Sequence, residues 1–161
     1  MVNLHDPANE RSIGALYQLI YLSRARPCPA EQRARIMSDI LAVSTRRNER
    51  ARVTGALLFC DGWYLQALEG NRYDVEAIYD SISKDERHDS IRLLRASPAP
   101  AREFAQWSMC GSALSPNDAL IVRGLERTDG FDPSRLTEHS ALSLLTAVCD
   151  RQMPARRLLA I

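Results

Sequence analysis

The chain has 161 residues, 45% of them hydrophobic and 25% charged, with a net charge of +1; a single domain with a short extension fits that length and buries about 70% of its unfolded surface. Near-neutrality without a basic stripe argues against a nucleic-acid binder, no apolar run reaches the ~18–20 residues of a membrane span, and the polar start from Met1 to Pro7 lacks an apolar signal region. The four cysteines, Cys28, Cys60, Cys110 and Cys149, lie far apart, with no C-x-x-C and no histidine at ligand spacing, which argues against a zinc site or disulfide scaffold and for a reducing cytoplasm.

Residues 1–14 read as a polar tail. Ala15 to Ser23 reads as a strand, with Tyr17, Leu19, Tyr21 and Ser23 on one face and Leu16, Gln18, Ile20 and Leu22 on the other. Both faces are largely apolar, so the strand is expected to be covered on both sides. After the proline-containing loop Arg24–Pro29, a helix is predicted from Ala30 to Arg47, its apolar stripe built from Ile36, Met37, Ile40, Leu41 and Val43. Ile40, Ser44 and Asn48 follow at i+4 spacing, so that stripe ends in two short polar side chains.

Val53–Cys60 and Trp63–Glu69 read as strands joined by Asp61-Gly62, a strong hairpin signal. On the second, Tyr64, Gln66 and Leu68 share a face, and Trp63, Leu65 and Ala67 take the other. A second helix is predicted over residues 72–84, opened by Asn71 and Asp74 as a loose capping box and buried through Val75, Ile78, Tyr79 and Ile82. Ser90–Ala96 and Phe104–Cys110 complete the strands, with Trp107 and Met109 on one face of the last. The order β-α-β-β-α-β-β predicts an α+β, ferredoxin-like sheet with both helices on one face. Two further helical patterns, near residues 116–127 and 133–151, follow. Leu142, Leu145, Val148 and Cys149 form a stripe in the second, suited to covering the sheet's other face.

A glutamine among Tyr, Leu and Ala is awkward, because a buried unpaired amide costs about 1–3 kcal/mol. Tyr21, Gln66, Asn48 and Ser44 together offer a phenol, two amides and a hydroxyl, with no carboxylate. Such a set suits hydrogen bonding to a neutral heterocycle more than acid–base hydrolysis, which needs a group titrating near neutrality. Taken singly, each has an ordinary reading: a core aromatic for Tyr21, a solvent-facing Gln66, a helix C-cap for Asn48, a solvated loop for Arg87 and His88, core for Trp107 and Met109.

The order and spacing say more. LIYLSR, a helix ending in S-x-x-x-N, Thr54-Gly55, Asp61-Gly62, Gln66, Glu69-Gly70, Asp85-Glu86-Arg87-His88 and Phe104 with Trp107-Ser108-Met109 together resemble the BLUF family of blue-light sensors using flavin. The resemblance covers residues 15–112, with 113–161 left as a C-terminal helical extension. It implies a flavin held between the two helices, FAD first, with FMN or riboflavin as substitutes. It implies Tyr21 as light-driven electron donor and Gln66 as the bridge from Tyr21 to the flavin. Asn48 falls where the family bonds the carbonyl–imide edge, with Ser44 in support, Ile40 and Ile82 against the ring, and Asp85, Arg87 and His88 at the pyrimidine edge and side chain. Trp107 and Met109 match the pair that passes the change to C-terminal elements. Arg47, where several members have Asn or His, and Tyr64, where Phe is usual, alter the rim and add a competing donor beside Trp63.

The same resemblance implies a sensor and not an enzyme. About 50 residues follow Gly111, too few for a cyclase or phosphodiesterase domain. The expected output is therefore a separate effector, such as a cyclic-dinucleotide phosphodiesterase or a transcriptional regulator, or a homo-oligomer, with no direct nucleic-acid or membrane contact. Leu120, Leu125, Leu158 and Leu159 are candidate contact residues. Three competitors stand beside the sensor: an acylphosphatase-like enzyme, which shares the fold order and would use Arg24 or Arg26 with Asn48, a flavin oxidoreductase, and a light-independent adaptor on the same fold. The first lacks glycines to cradle phosphate, and the second lacks a dinucleotide fingerprint.

Overall fold

The structure, a computed structural model, describes residues 15–113 and 135–157. Strands β1 (Tyr17–Ala25), β2 (Thr54–Cys60), β3 (Trp63–Gly70), β4 (His88–Pro98) and β5 (Cys110–Ala113) form one sheet in the order β4-β1-β3-β2-β5. Neighbours are antiparallel except β2 and β5, which run parallel. The helices are α1 (Ala30–Ala51), α2 (Arg72–Ser83) and α3 (Glu138–Arg157). This is the expected ferredoxin-like α+β sheet. The predicted helix near residues 116–127, and Leu120, Leu125, Leu158 and Leu159, lie outside the described residues.

Period-two alternation sorts the sheet into two cores. Tyr17, Leu19 and Tyr21 of β1, with Leu57, Tyr64 and Leu68, meet Met37 and Ile40 of α1 and Val75 and Ile78 of α2. Ile20, Leu22, Leu58, Leu65 and Ala67 on the other face meet Ala141, Leu144, Leu145, Val148 and Cys149 of α3. The strands are thus apolar on both sides because each side carries a helical layer. Leu145 is fully buried at the centre of the second core. Leu145→Ala should cost about 2–5 kcal/mol of unfolding free energy, read as a lowered urea midpoint at unchanged slope.

The Asp61-Gly62 turn has φ of 47° and 80°, the doubly left-handed geometry that matches the twist of a two-residue hairpin. At Gly55 the constraint is space, since a Cβ there would sit 2.2 Å from the carbonyl oxygen of Ala67. Asn71 caps α2 by accepting from the backbone N–H of Tyr73 at 2.9 Å.

Three expectations change. Helix α1 runs to Ala51, not Arg47, and ends where Arg52 turns left-handed at φ 54°, its N–H satisfied by the carbonyls of Asn48 and Glu49. No glycine marks that stop, so it left no mark in the sequence. Val43 is 42% exposed and stands off the buried stripe. Finally, Phe104–Met109 is not a strand. The N–H of Trp107 bonds the carbonyl of Phe104 at 3.0 Å, closing a turn, and β5 begins only at Cys110. Aromatic residues raised the apparent strand tendency, but here Phe104 anchors a turn in the α3 core.

Candidate functional site

The register of β1 against β3 sets Tyr21 opposite Gln66. Both side chains point to the α1/α2 face, where Tyr21 is 0% and Gln66 3% exposed. The Tyr21 hydroxyl donates to Gln66 Oε1, which leaves Gln66 Nε2 to donate to Met109 Sδ at 3.7 Å. Asn48, inside the last turn of α1, donates from Nδ2 to the carbonyl of Ser108 at 2.7 Å. Two side-chain amides therefore hold consecutive residues just before β5, one by main chain and one by sulfur.

Asn48 is not a C-cap. Its Oδ1 is buried and has no partner among the described residues, and such an orphan acceptor is costly. An imide N–H flanked by carbonyls, as on a flavin ring, would satisfy it, so the residues present fit that cofactor. On the same α1 stripe Ile40 is buried and Ser44 half-buried. Arg47 is exposed and spans to α2, donating to Ser81 Oγ at 2.9 Å. Ile82 and Tyr79 of α2 pack half-buried against the same cluster.

At the other end of the helices, Asp85 and Arg87 form a forked pair, Arg87 Nε reaching Asp85 Oδ1 and Oδ2 at 2.9 and 3.0 Å. These bonds hold the Asp85 carboxyl below its ordinary range. His88 opens β4, with Nδ1 2.7 Å from Ser23 Oγ and its ring 4.8 Å from Tyr64. Arg87 and His88 are thus partnered, not a solvated loop. Burial pushes the His88 imidazole below the usual histidine value, Asp85 opposes that and Arg87 adds to it. The folded protein therefore resists protonating His88 while the unfolded chain accepts a proton near pH 6.5. Stability contributed by neutral His88 is complete above that pH and is lost as pH falls through the lower folded value. Urea midpoints measured across that window should fall for the wild type and stay flatter for His88→Gln.

Burial raises the Tyr21 phenol far above its usual range, with Tyr79, Asp85 and Tyr64 adding to the rise. Tyr21 is accordingly a protonated donor in the ground state. The hydrogen bonds of Tyr21, Gln66 and Asn48 run to amides, a carbonyl and a sulfur, so the described site offers no general acid–base pair on them.

Trp107 and Met109 do not share a face. Met109 joins the α1/α2 core, whereas Trp107 packs half-buried against the α3 core. The backbone from 107 to 109 is irregular, with a bend at Ser108 and β5 beginning only at Cys110, so no strand alternation aligns them. Sequence reasoning also passed over a clasp at Glu69. Its buried carboxylate accepts from Gln18 Nε2 at 2.8 Å and from the N–H groups of Glu103 and Phe104 at 2.9 and 3.0 Å. Arg102 adds bonds to Thr54 Oγ1 and the Glu69 carbonyl. The signal was present: alternation puts Glu69 on the Leu65 face, and a carboxylate in a core must be partnered.

The chain is similar to several known proteins. Over 94 residues, 58% of its length, it is 36% identical to the blue light- and temperature-regulated antirepressor BluF of Escherichia coli (strain K12), of which that stretch is 23%. Over the same share it is 32% identical to the photoactivated adenylate cyclase subunit alpha of Euglena gracilis, covering 9% of that protein. It thus spans less than a quarter of these relatives. Among solved structures, the dark state of BlrB, a BLUF protein, is 28% identical with a TM-score of 0.69 over 87% of this chain and 98% of that one. The photo-activated state of BlsA is 25% identical with a TM-score of 0.72 over 83% and 94%. Residues 16–110 match the BLUF family profile, described as sensors of blue-light using FAD. With that match spanning the sheet, α1, α2 and the Tyr21–Gln66 pair, the chain belongs to the BLUF family of flavin-binding blue-light sensors.

Proposed function

We propose that light re-aims the Gln66 carboxamide and that the change leaves the domain through Met109, β5 and α3 to a separate partner protein. The observation that carries this is the position of Gln66, a buried amide whose acceptor end meets the Tyr21 hydroxyl and whose donor end meets Met109 sulfur. A bound flavin supplies the absorption of blue light and, once excited, an acceptor for an electron. Tyr21 is the donor: it gives up an electron and, through the bond to Gln66 Oε1, its phenolic proton, and it recovers both when the charge separation collapses, so no net chemistry remains. Gln66 then rotates or changes tautomer, since its two ends differ only in donor and acceptor sense. A bound flavin would offer its imide N–H to Asn48 Oδ1, with Ile40 and Ile82 holding its ring and Ser44, Arg47 and Tyr64 bordering it. Asp85, Arg87 and His88 face the pyrimidine edge and side chain.

The path outward is continuous. Met109 leads directly into β5, where Cys110 Sγ lies 3.4 Å from Gln152 Oε1 and the Gly111 carbonyl accepts from Gln152 Nε2 at 2.8 Å. Gln152 belongs to α3. Turning Gln66 removes its donor from Met109 and loosens this chain, while Trp107 reads the same segment from the opposite face. Exchanging one or two neutral hydrogen bonds is worth about 1–3 kcal/mol, which shifts a coupled equilibrium ~5–150-fold. The docking of α3 must therefore be nearly balanced between two arrangements. A protein partner fits this scale; of the similar proteins, one is named a photoactivated adenylate cyclase subunit and another a blue light- and temperature-regulated antirepressor.

The test is to purify the protein with its flavin and illuminate it with blue light. A reversible red shift of the flavin bands, decaying in the dark, supports the reading. A protein that takes up no flavin favours the adaptor, and irreversible bleaching with consumption of a reductant favours an oxidoreductase.

A further inference from the structure

The rings beside Tyr21 form a series. Tyr79 of α2 is its near neighbour, with ring centroids 5.5 Å apart and planes tilted by 58°. The His88 ring stands 6.3 Å from that of Tyr21, and the Tyr64 ring is 4.8 Å from that of His88. We propose that Tyr79 is a second electron donor that refills oxidised Tyr21, so that a share of absorbed photons ends as a radical on Tyr79 and leaves Gln66 unswitched. This rests on the light-driven oxidation of Tyr21 argued above.

Three observations single out Tyr79. Electron transfer weakens steeply with distance, and these rings stand within the range of direct aromatic contact. His88 is close too, but a neutral imidazole is harder to oxidise than a phenol. Tyr64 is a phenol, but the guanidinium groups of Arg33 and Arg87 bear on it, and nearby positive charge opposes removal of an electron. Among the described residues no such cation bears on Tyr79, whose hydroxyl is perturbed by burial. It is also only half-buried, so its proton can pass to water, whereas Tyr21 is sealed.

The balance is as follows. Tyr21, having lost an electron and its phenolic proton, takes one electron from Tyr79. Tyr79 releases its phenolic proton to solvent. Tyr21 recovers the proton it had passed along Gln66. In sum, one electron has moved from Tyr79 to the photoexcited flavin, one proton has reached water, and Tyr21 and Gln66 stand as before. The longer Tyr21 stays oxidised, the larger the diverted share.

The flavin-loaded protein is illuminated in the presence of a nitroso spin trap, digested, and mapped by mass spectrometry, and the yield of red-shifted product per photon is measured beside it. The expected result is a light-dependent adduct on Tyr79, its loss in Tyr79→Phe, and a higher yield of shifted product in that variant. The phenylalanine ring preserves the packing, and the wild-type adduct map is independent of the variant. Absence of an adduct on Tyr79 in wild-type protein that still shifts reversibly overturns the proposal, as does an unchanged yield in Tyr79→Phe. A wild-type protein that binds flavin and never shifts defeats the photoswitch reading itself, which separates the two failures.

Discussion

Tyr21→Phe should keep the flavin bound and abolish the reversible red shift. The phenylalanine ring fills nearly the same volume in a core where Tyr21 packs among Leu19, Leu57 and Tyr64, so the sheet and both helices keep their positions. What disappears is the hydroxyl, and with it both the oxidisable phenol and the proton path to Gln66 Oε1. No other described side chain donates to that oxygen. The cost to stability follows from the same loss: Gln66 Oε1 is buried, and an acceptor left without a donor costs about 1–3 kcal/mol. Absorption spectra before and after blue light, with a urea titration in the dark, measure both quantities. A variant that still shifts like the wild type would remove Tyr21 from the role assigned to it.

Gln66→Leu attacks the same bond from the other side and is expected to have an equally large effect. Leucine is one bond shorter than glutamine and suits the apolar neighbours, but it carries no dipole to re-aim. Excitation could still oxidise Tyr21, yet recombination would restore the starting arrangement with nothing changed, and the shifted state should be absent. The Tyr21 hydroxyl, fully buried, would lose its acceptor at a cost of about 1–3 kcal/mol. Met109 would lose the N–H that now reaches its sulfur, freeing the segment before β5 even in the dark. Combining both substitutions makes the pair apolar on both sides. The double variant should therefore be more stable than the sum of the single losses predicts, by about 0.5–3 kcal/mol, the range of coupling for groups in direct contact. A persistent shift in Gln66→Leu, or strict additivity of the two losses, would contradict the bond as described.

The two amides at the heart of the site differ in what they offer. Gln66 is bonded at both ends, its acceptor to Tyr21 and its donor to Met109, so turning it would exchange both bonds. Asn48 is bonded at one end and waits at the other, the property a cofactor anchor needs. Both reach the same short segment, Ser108 by its carbonyl and Met109 by its sulfur, so on the proposed reading cofactor seating and switching would converge on the backbone that enters β5. The Glu69 clasp on Glu103 and Phe104 fixes the upstream end of that segment.

Much of this was legible in the chain itself. Alternation grouped Tyr21 with Tyr17 and Leu19 on β1 and Tyr64 with Gln66 on β3, the Asp61-Gly62 pair signalled the hairpin between β2 and β3, and the i+4 row Ile40, Ser44, Asn48 put two short polar side chains on the apolar stripe of α1. These follow from local periodicity, which backbone geometry imposes wherever a strand or helix is regular. The family motif then supplied the cofactor, because its residues recur in order across every core element. The tertiary structure alone decided that Met109 and not Trp107 turns toward Gln66, that Asn48 bonds the Ser108 carbonyl, that Glu69 is partnered by Gln18 and the Glu103–Phe104 backbone, and that Tyr79 stands beside Tyr21. Each of these depends on where two segments distant in sequence meet, or on the path of the irregular stretch after β4. No repeat of two or 3.6 residues governs such a stretch, and its side chains take their directions from the partners they find.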